Sequence, residues 1–358
     1  MRANVDLRFE LPRRAPENGR TTGVLALLNG TAPVAAPGAK EIDQWAREAA
    51  EGSPQAQYEL AKALATGATL SADNRTAVKW LKKAAEKEHL ASQHLLGVLI
   101  ARGQGIRPDP QKAAQLFRSA AVMGMKEAQY DLARCYQWGF GVTASEKEAL
   151  TWFRLAAAQG HTEAEYESAK AYEFGLGTMP DLKQAQQRYK RAAMKGCAKA
   201  AYELALLNLR PDNPQKDNDE AFRWCAEAAR AGLTDAQLAL AFFYWSGRGV
   251  RQSAQQALQW AVLAAKGHSL KALLFVSKLV WEIAGVSSLK REKALSLVIV
   301  AKRLAADAKD AELLSEAALR ETELKGLLSE SETLHAAAAA QDALAAGSAD
   351  DLLEGLAR

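Results

Sequence analysis

The chain has 358 residues, of which 75 are alanine, 49% are hydrophobic and 25% charged, which excludes wholesale disorder, a collagen-like repeat and a disulfide scaffold. The formal charge is only +4 and no run of five or more Lys/Arg occurs, so the clustered basic surface that displaces counterions from nucleic acid is missing. Five isoleucines and ten prolines beside so much alanine point to helix and not to sheet.

In chain order, residues 1–39 carry five arginines, four prolines and four glycines without helical periodicity, and read as a flexible leader. Val5–Leu11 has the pattern of a short strand, and Val24–Leu28, the one apolar stretch, is shorter than the roughly 7–15 residues of a signal-peptide core. No segment reaches about 18 uninterrupted apolar residues, so no membrane span is expected. Three irregularly spaced cysteines, Cys135, Cys197 and Cys225, fit a reducing compartment, and the expected localisation is cytoplasmic. Lys40–Glu51, with Trp45 and Ala49-Ala50, resembles half of the unit that follows and caps it.

From residue 56 a pattern recurs every 36 residues. Hexads of the type Ala-Gln-Tyr-x-Leu-Ala begin at Ala56, Ser92, Ala128, Ala164, Ala200 and Ala236, and more weakly at Ala272. Gly-x-Gly follows at Gly103, Gly139, Gly175 and Gly247, then an aromatic such as Trp80, Trp152, Trp224 or Trp260, then an Ala-Ala pair. A glycine closes most units, at Gly124, Gly160, Gly196, Gly232 and, one residue early, Gly267. Within one unit, Ala128, Leu132, Ala133 and Tyr136 share a helix face, which Gly139 ends. A second helix is capped by Ser145 and buries Ala149, Trp152, Phe153, Ala156 and Ala157. The Gly-x-Gly follows a helix, not a strand, and lacks a third glycine, so it reads as a turn and not as a phosphate cradle. Unit five replaces it with Pro211-Asp212-Asn213-Pro214, either an alternative Asx turn, a bend or an acidic contact point.

Leu273–Val286 and Glu292–Asp307 form a degenerate seventh hairpin, followed by helices at about 309–328 and 330–346 and a short amphipathic end at Asp350–Leu356. These elements read as a cap over the end of the array or as a docking and self-association segment. The resulting division is leader 1–39, repeat array 40–270, degenerate repeat and helical cap 271–347, and tail 348–358.

The unit Ala-x-Tyr-x-Leu-Ala-x-x-Tyr-x-x-Gly-x-Gly-Val followed by Ala-x-x-Trp-x-x-x-Ala-Ala-x-x-Gly, as at Ala128–Gly160, resembles the bacterial type of Sel-1-like repeat, a 36-residue relative of the tetratricopeptide repeat. The resemblance implies an all-α fold, a right-handed α-solenoid of antiparallel helix pairs that holds protein partners, with no catalytic residues in its pattern. Some secreted members pair a cysteine in the two helices of each unit; no unit here does, which argues against an extracellular member.

Chemistry finds no support. The five histidines (89, 94, 161, 268 and 335) read as occupying unrelated repeat positions, and no spacing matches a metal site, a nucleophile elbow or a P-loop. No cofactor is expected, and an active site in the last 80 residues would need a histidine cluster where only His335 stands. Binding is better supported. The first helices of a solenoid line its concave face, and positions 3, 6, 7 and 10 after each anchor give Asp131, Arg134, Trp138, Glu167, Lys170 and Phe174 in units three and four. Units five and six give Glu203, Arg210, Phe242, Phe243 and neighbouring Trp245. Aromatics beside charges are the usual anchors of an interface. The expected function is a non-enzymatic scaffold or adaptor holding a protein or peptide, with no nucleic acid as partner; the alternative is a regulatory or immunity-type inhibitor that wraps an enzyme or toxin.

Overall fold

A computed structural model describes residues 38–66, 73–213, 216–284, 288–354 and 356. Residues 1–37 of the leader, including Val5–Leu11, therefore lie outside the described residues, as does Gly67, while Ala39 already belongs to the first helix.

Among the described residues all regular structure is helical. After α1 (Ala39–Ala50) the first helix of each unit, the A helix, begins every 36 residues: α2 (Pro54–Thr66), α4 (Leu90–Arg102), α6 (Lys126–Trp138), α8 (Thr162–Phe174), α10 (Ala198–Leu209) and α12 (Thr234–Ser246). The B helices keep the same step: α3 (Asn74–Glu86), α5 (Pro110–Val122), α7 (Glu146–Ala158), α9 (Leu182–Met194), α11 (Asn218–Arg230) and α13 (Ala254–Lys266). The chain ends with α14 (Leu270–Ala284), α15 (Ser288–Asp307), α16 (Ala311–Lys325), α17 (Glu330–Ala346) and α18 (Asp350–Leu353). The fold is an all-α solenoid of 36-residue repeats, as the sequence pattern implies.

Two compact units divide the described chain between Lys195 and Gly196. In the first, each helix of α1–α9 packs on the next, over a core that includes Leu81, Leu99, Ile100, Phe117 and Leu132. In the second, α10–α15 continue the successive packing, and α15 is covered by both α16 and α17. Leu279, Leu295, Leu297 and Leu324 are fully buried there, within one core to which the terminal helices contribute.

The repeat is punctuated by side chains and left-handed residues in fixed places. Asp73, Asp109, Ser145, Asp181, Asp217 and Ser253 each accept a backbone N–H in the first turn of a B helix, satisfying donors that a helix start leaves without partners. A helices hold on to the preceding repeat through a glutamine: the amide of Gln129 donates to the Ala121 carbonyl at 3.1 Å, and Gln57, Gln93 and Gln237 do the same to Ala49, Ala85 and Ala229. The acceptors are last-turn carbonyls, those of the second alanine of a pair at Ala85, Ala121 and Ala229 and of the first at Ala49, and each also takes the backbone N–H three residues on, as Ala121 does from Gly124 at 3.0 Å.

Gly139 ends α6 in the left-handed region. Gly141 is different in kind: a Cβ there would collide with the Pro110 carbonyl at the start of the preceding B helix. The second glycine of Gly-x-Gly thus lets one repeat's loop touch the preceding repeat's backbone, a role beyond helix termination.

One sequence reading changes, and one open alternative is selected. The left-handed corner between α13 and α14 belongs to His268, with φ 63°, and Gly267 has an ordinary negative φ, so unit six closes in register and not one residue early. In unit five the turn is held by Asx chemistry: Asn213 donates to the Leu207 carbonyl at 2.8 Å and the Asp217 N–H to the Asn208 carbonyl at 3.1 Å.

Substitutions at left-handed positions should therefore act in opposite directions. Gly141→Ala combines an unfavourable φ with a backbone collision and should cost about 2–4 kcal/mol. His268→Gly relieves a non-glycine residue at positive φ and should gain about 0.5–1 kcal/mol. Urea unfolding of the two variants beside the parent checks both signs.

Candidate interaction surface

On the A helices of the first unit, aromatic and charged side chains meet. Arg134 of α6 lies between two rings, its guanidinium carbon 4.3 Å from the Trp138 ring centroid and 5.6 Å from that of Tyr130. The 3.6-residue helical period puts residues 130, 134 and 138 on one face, so the stack follows from sequence spacing. On α8 the same positions hold Tyr166, Lys170 and Phe174: the Lys170 ammonium is 5.5 Å from the Tyr166 ring centroid and pairs with Glu167 at 3.3 Å. Phe174 closes α8 as Trp138 closes α6, and it is 41% exposed.

Asp131 departs from the expected surface. It is buried, and its carboxylate meets His94 Nε2 of α4 at 2.7 Å. Its role is to join two adjacent A helices, and His94 rests against the Phe117 ring. Asp131 is corrected from a ligand contact to an inter-repeat link.

In the second unit, Glu203 and Phe242 are half-buried, and Phe242 packs on Phe275 with ring centroids 6.1 Å apart. Arg210 is held by both carboxylate oxygens of Asp212, at 3.0 and 2.6 Å. Trp245 packs partly buried on the core of this unit. Phe243 is buried, 4% exposed, and is not a surface residue. Seven residues on a helix advance almost two full turns, so the seventh position after an anchor returns to the anchor's own buried face. Leu99, Cys135, Ala171 and Leu207 at the same place are buried too.

Sequence reasoning also missed the histidines. His89 and His161 stand 72 residues apart, two repeat lengths, and each precedes an A helix as its N-cap residue. The correction to "unrelated positions" was available from the numbering alone. His161 stacks on Tyr130 with centroids 4.4 Å apart and accepts the Ala164 N–H through Nδ1. His89 tilts against Tyr58 in the same way and bonds Ser92 and Gln55. Burial pushes His161 below the ordinary histidine range; Glu163, Glu127 and Asp131 oppose that and Lys126 reinforces it. Tyr130 is raised, chiefly by burial.

Cys135 and Cys225 are both buried. Burial pushes the Cys135 thiol up to about 12 and raises Cys225 further, far from the thiolate that attack requires. Among the described residues no group of three or more His, Cys, Asp and Glu is placed to hold a metal, and no helix is long and apolar enough to cross a membrane.

The Sel1 repeat model matches six consecutive segments, residues 54–89, 90–125, 126–161, 162–197, 198–233 and 234–269. A Sel1 repeat protein from Oxalobacter formigenes is similar in structure, with a TM-score of 0.60 and 32% identity over 66% of this chain and 68% of that one. The c5321 protective antigen of uropathogenic Escherichia coli, which displays an SLR fold, gives a TM-score of 0.52 at 21% identity over 87% of this chain and 73% of its own. The immunity protein Pa5087 from Pseudomonas aeruginosa lies further away, with a TM-score of 0.34 at 22% identity over 63% of this chain and 76% of its own. No curated protein matches the chain significantly.

A histidine kept neutral by burial stabilises the fold only where the unfolded chain is neutral there too. The contribution of His161 is full above its ordinary value of about 6.5 and falls away as pH drops through the lowered folded value. His161→Asn keeps an N-cap oxygen without titrating. The stability difference between parent and variant should shrink in favour of the variant as pH falls from about 7.5 to about 5.5; urea midpoints that run parallel across this window would contradict it.

Proposed function

The chain belongs to the Sel1 repeat family, whose members are generally protein-interaction scaffolds, and on that premise we propose that its A-helix face binds a peptide or helical segment of a partner protein. The observation that carries this reading is the Tyr130–Arg134–Trp138 stack continued by Phe174 at the equivalent end of α8. A guanidinium held between two rings has already lost its rotamer freedom, so a partner carboxylate or backbone carbonyl meets a preorganised donor. Flanking aromatics supply contact area at little entropic cost. Glu167 and Lys170 add a charged rim that sets orientation. The role is non-catalytic, an adaptor. The three free cysteines fit action in a reducing compartment such as the cytoplasm.

Trp138→Ala with Phe174→Ala tests the reading. Both residues end their helices outside the fully buried core, so circular dichroism should remain that of the parent. Proteins enriched by quantitative affinity purification on the parent should fall about tenfold or more on the double variant, the loss expected of aromatic anchors. Equal enrichment on both would place the binding surface elsewhere.

A further inference from the structure

The outward side of the B helices in the first unit carries a feature that partner binding on the A helices does not use. Lys82, Arg118, Arg154 and Lys190 stand 36 residues apart, at one position of α3, α5, α7 and α9, and all four are exposed. In the second unit the same position holds Ala226 and Val262, both buried. The four B helices of the first unit carry 12 Lys/Arg against 3 Glu, a net +9, whereas its A helices α2, α4, α6 and α8 carry 5 Lys/Arg against 7 Asp/Glu, a net −2. A chain of nearly balanced charge thus sorts its cations onto one set of helices, and does so in register with the repeat.

The same surface exposes apolar side chains. One helical turn after Arg118 and Lys190 come Val122 and Met194, 67% and 73% exposed; Met123 follows Val122, and Leu155 sits beside Arg154. The cations and the apolar groups therefore alternate along the C-terminal halves of neighbouring B helices. No aromatic ring stands exposed there to stack on a nucleobase. A row of long cations beside shallow aliphatic and thioether side chains matches a surface that is anionic at its plane and apolar just beneath it.

We propose that the B-helix face of α3, α5, α7 and α9 docks on an anionic lipid bilayer, with Lys82, Arg118, Arg154 and Lys190 among the headgroups and Val122, Leu155 and Met194 entering the acyl boundary. Docking through the B helices leaves the A-helix face free, so the protein holds its partner at a membrane surface without spanning it. Arg118 is preorganised for this by its bond to the Tyr136 hydroxyl at 2.6 Å.

The test is cosedimentation of the full chain with vesicles of phosphatidylcholine alone and of phosphatidylcholine containing about one third phosphatidylglycerol. The parent should bind the anionic vesicles only. Changing Lys82, Arg118, Arg154 and Lys190 together to Gln should weaken binding about 600-fold, each cation near the surface counting for roughly a fivefold factor. The triple variant that keeps Arg118, and so its bond to Tyr136, should lose most of this, while the charge-preserving set Lys82→Arg, Arg118→Lys, Arg154→Lys and Lys190→Arg should bind as the parent does. Val122→Ser, Leu155→Ser and Met194→Ser should leave binding at about 0.05 M salt and abolish the part that survives at about 0.5 M. The proposal is overturned if the parent ignores anionic vesicles or binds zwitterionic ones equally. It is also overturned if the Gln variants bind unchanged, if the charge-preserving set fails, or if a DNA duplex is held by these cations as tightly as the vesicles are.

Discussion

Each repeat of this chain buries its helices only against its neighbours, so the contact that fixes one repeat on the next decides everything built above it. That contact has a polar part with strict geometry. In four of the six repeats a glutamine near the start of the A helix reaches back 8 residues and adds a second donor to a last-turn carbonyl of the preceding helix, as Gln129 does for Ala121 beside the Gly124 N–H. The alanine at that carbonyl keeps the backbone within reach, and the second glycine of the loop brings a further backbone contact to the start of the same B helix. Where the glutamine becomes Glu165, which cannot donate, the buried carboxylate is met by Arg188 and Arg191 of α9 at 3.3 and 3.0 Å. That pairing lies within one repeat, and Ala201 at the equivalent place in unit five has no donor side chain; there the helices keep their 36-residue step without the glutamine bond.

Once the step is fixed, any residue type that recurs at it becomes a row in space. This is why two surfaces of different character arise from one short unit. On α6 and α8 the recurring aromatic and cation positions give Tyr130, Arg134 and Trp138, then Tyr166, Lys170 and Phe174. On the B helices the recurring cation gives Lys82, Arg118, Arg154 and Lys190. A run-based reading of charge misses such a row, because its members are never adjacent in sequence.

The fold was legible because the same 36-residue periodicity that builds the solenoid is printed in the chain. The site was legible only in part. Trp138, Phe174 and Arg134 sit where counting along a helix puts them, whereas Phe243 fails because a seventh position rotates back onto the buried stripe. Asp131 fails for another reason: its fate depends on His94, 37 residues earlier, and only the packing of α4 on α6's neighbourhood shows that the two meet at 2.7 Å. The glutamine's backward bond was invisible for the same reason, since a polar residue in a helix's first turn reads as exposed until the preceding helix is in place.

Where it is present, the glutamine bond couples neighbouring repeats. Equilibrium urea unfolding of Gln129→Ala, Gln237→Ala and the double variant measures it directly. Each substitution removes one of two donors, leaving the Gly124 N–H on the Ala121 carbonyl and the Gly232 N–H on that of Ala229, and should cost about 0.5–1.5 kcal/mol. Because the bond joins neighbouring repeats, the transition should also broaden, with a lower slope as the array ceases to unfold as one. Losses under about 0.5 kcal/mol with an unchanged slope would contradict the account and return the coupling to alanine packing alone.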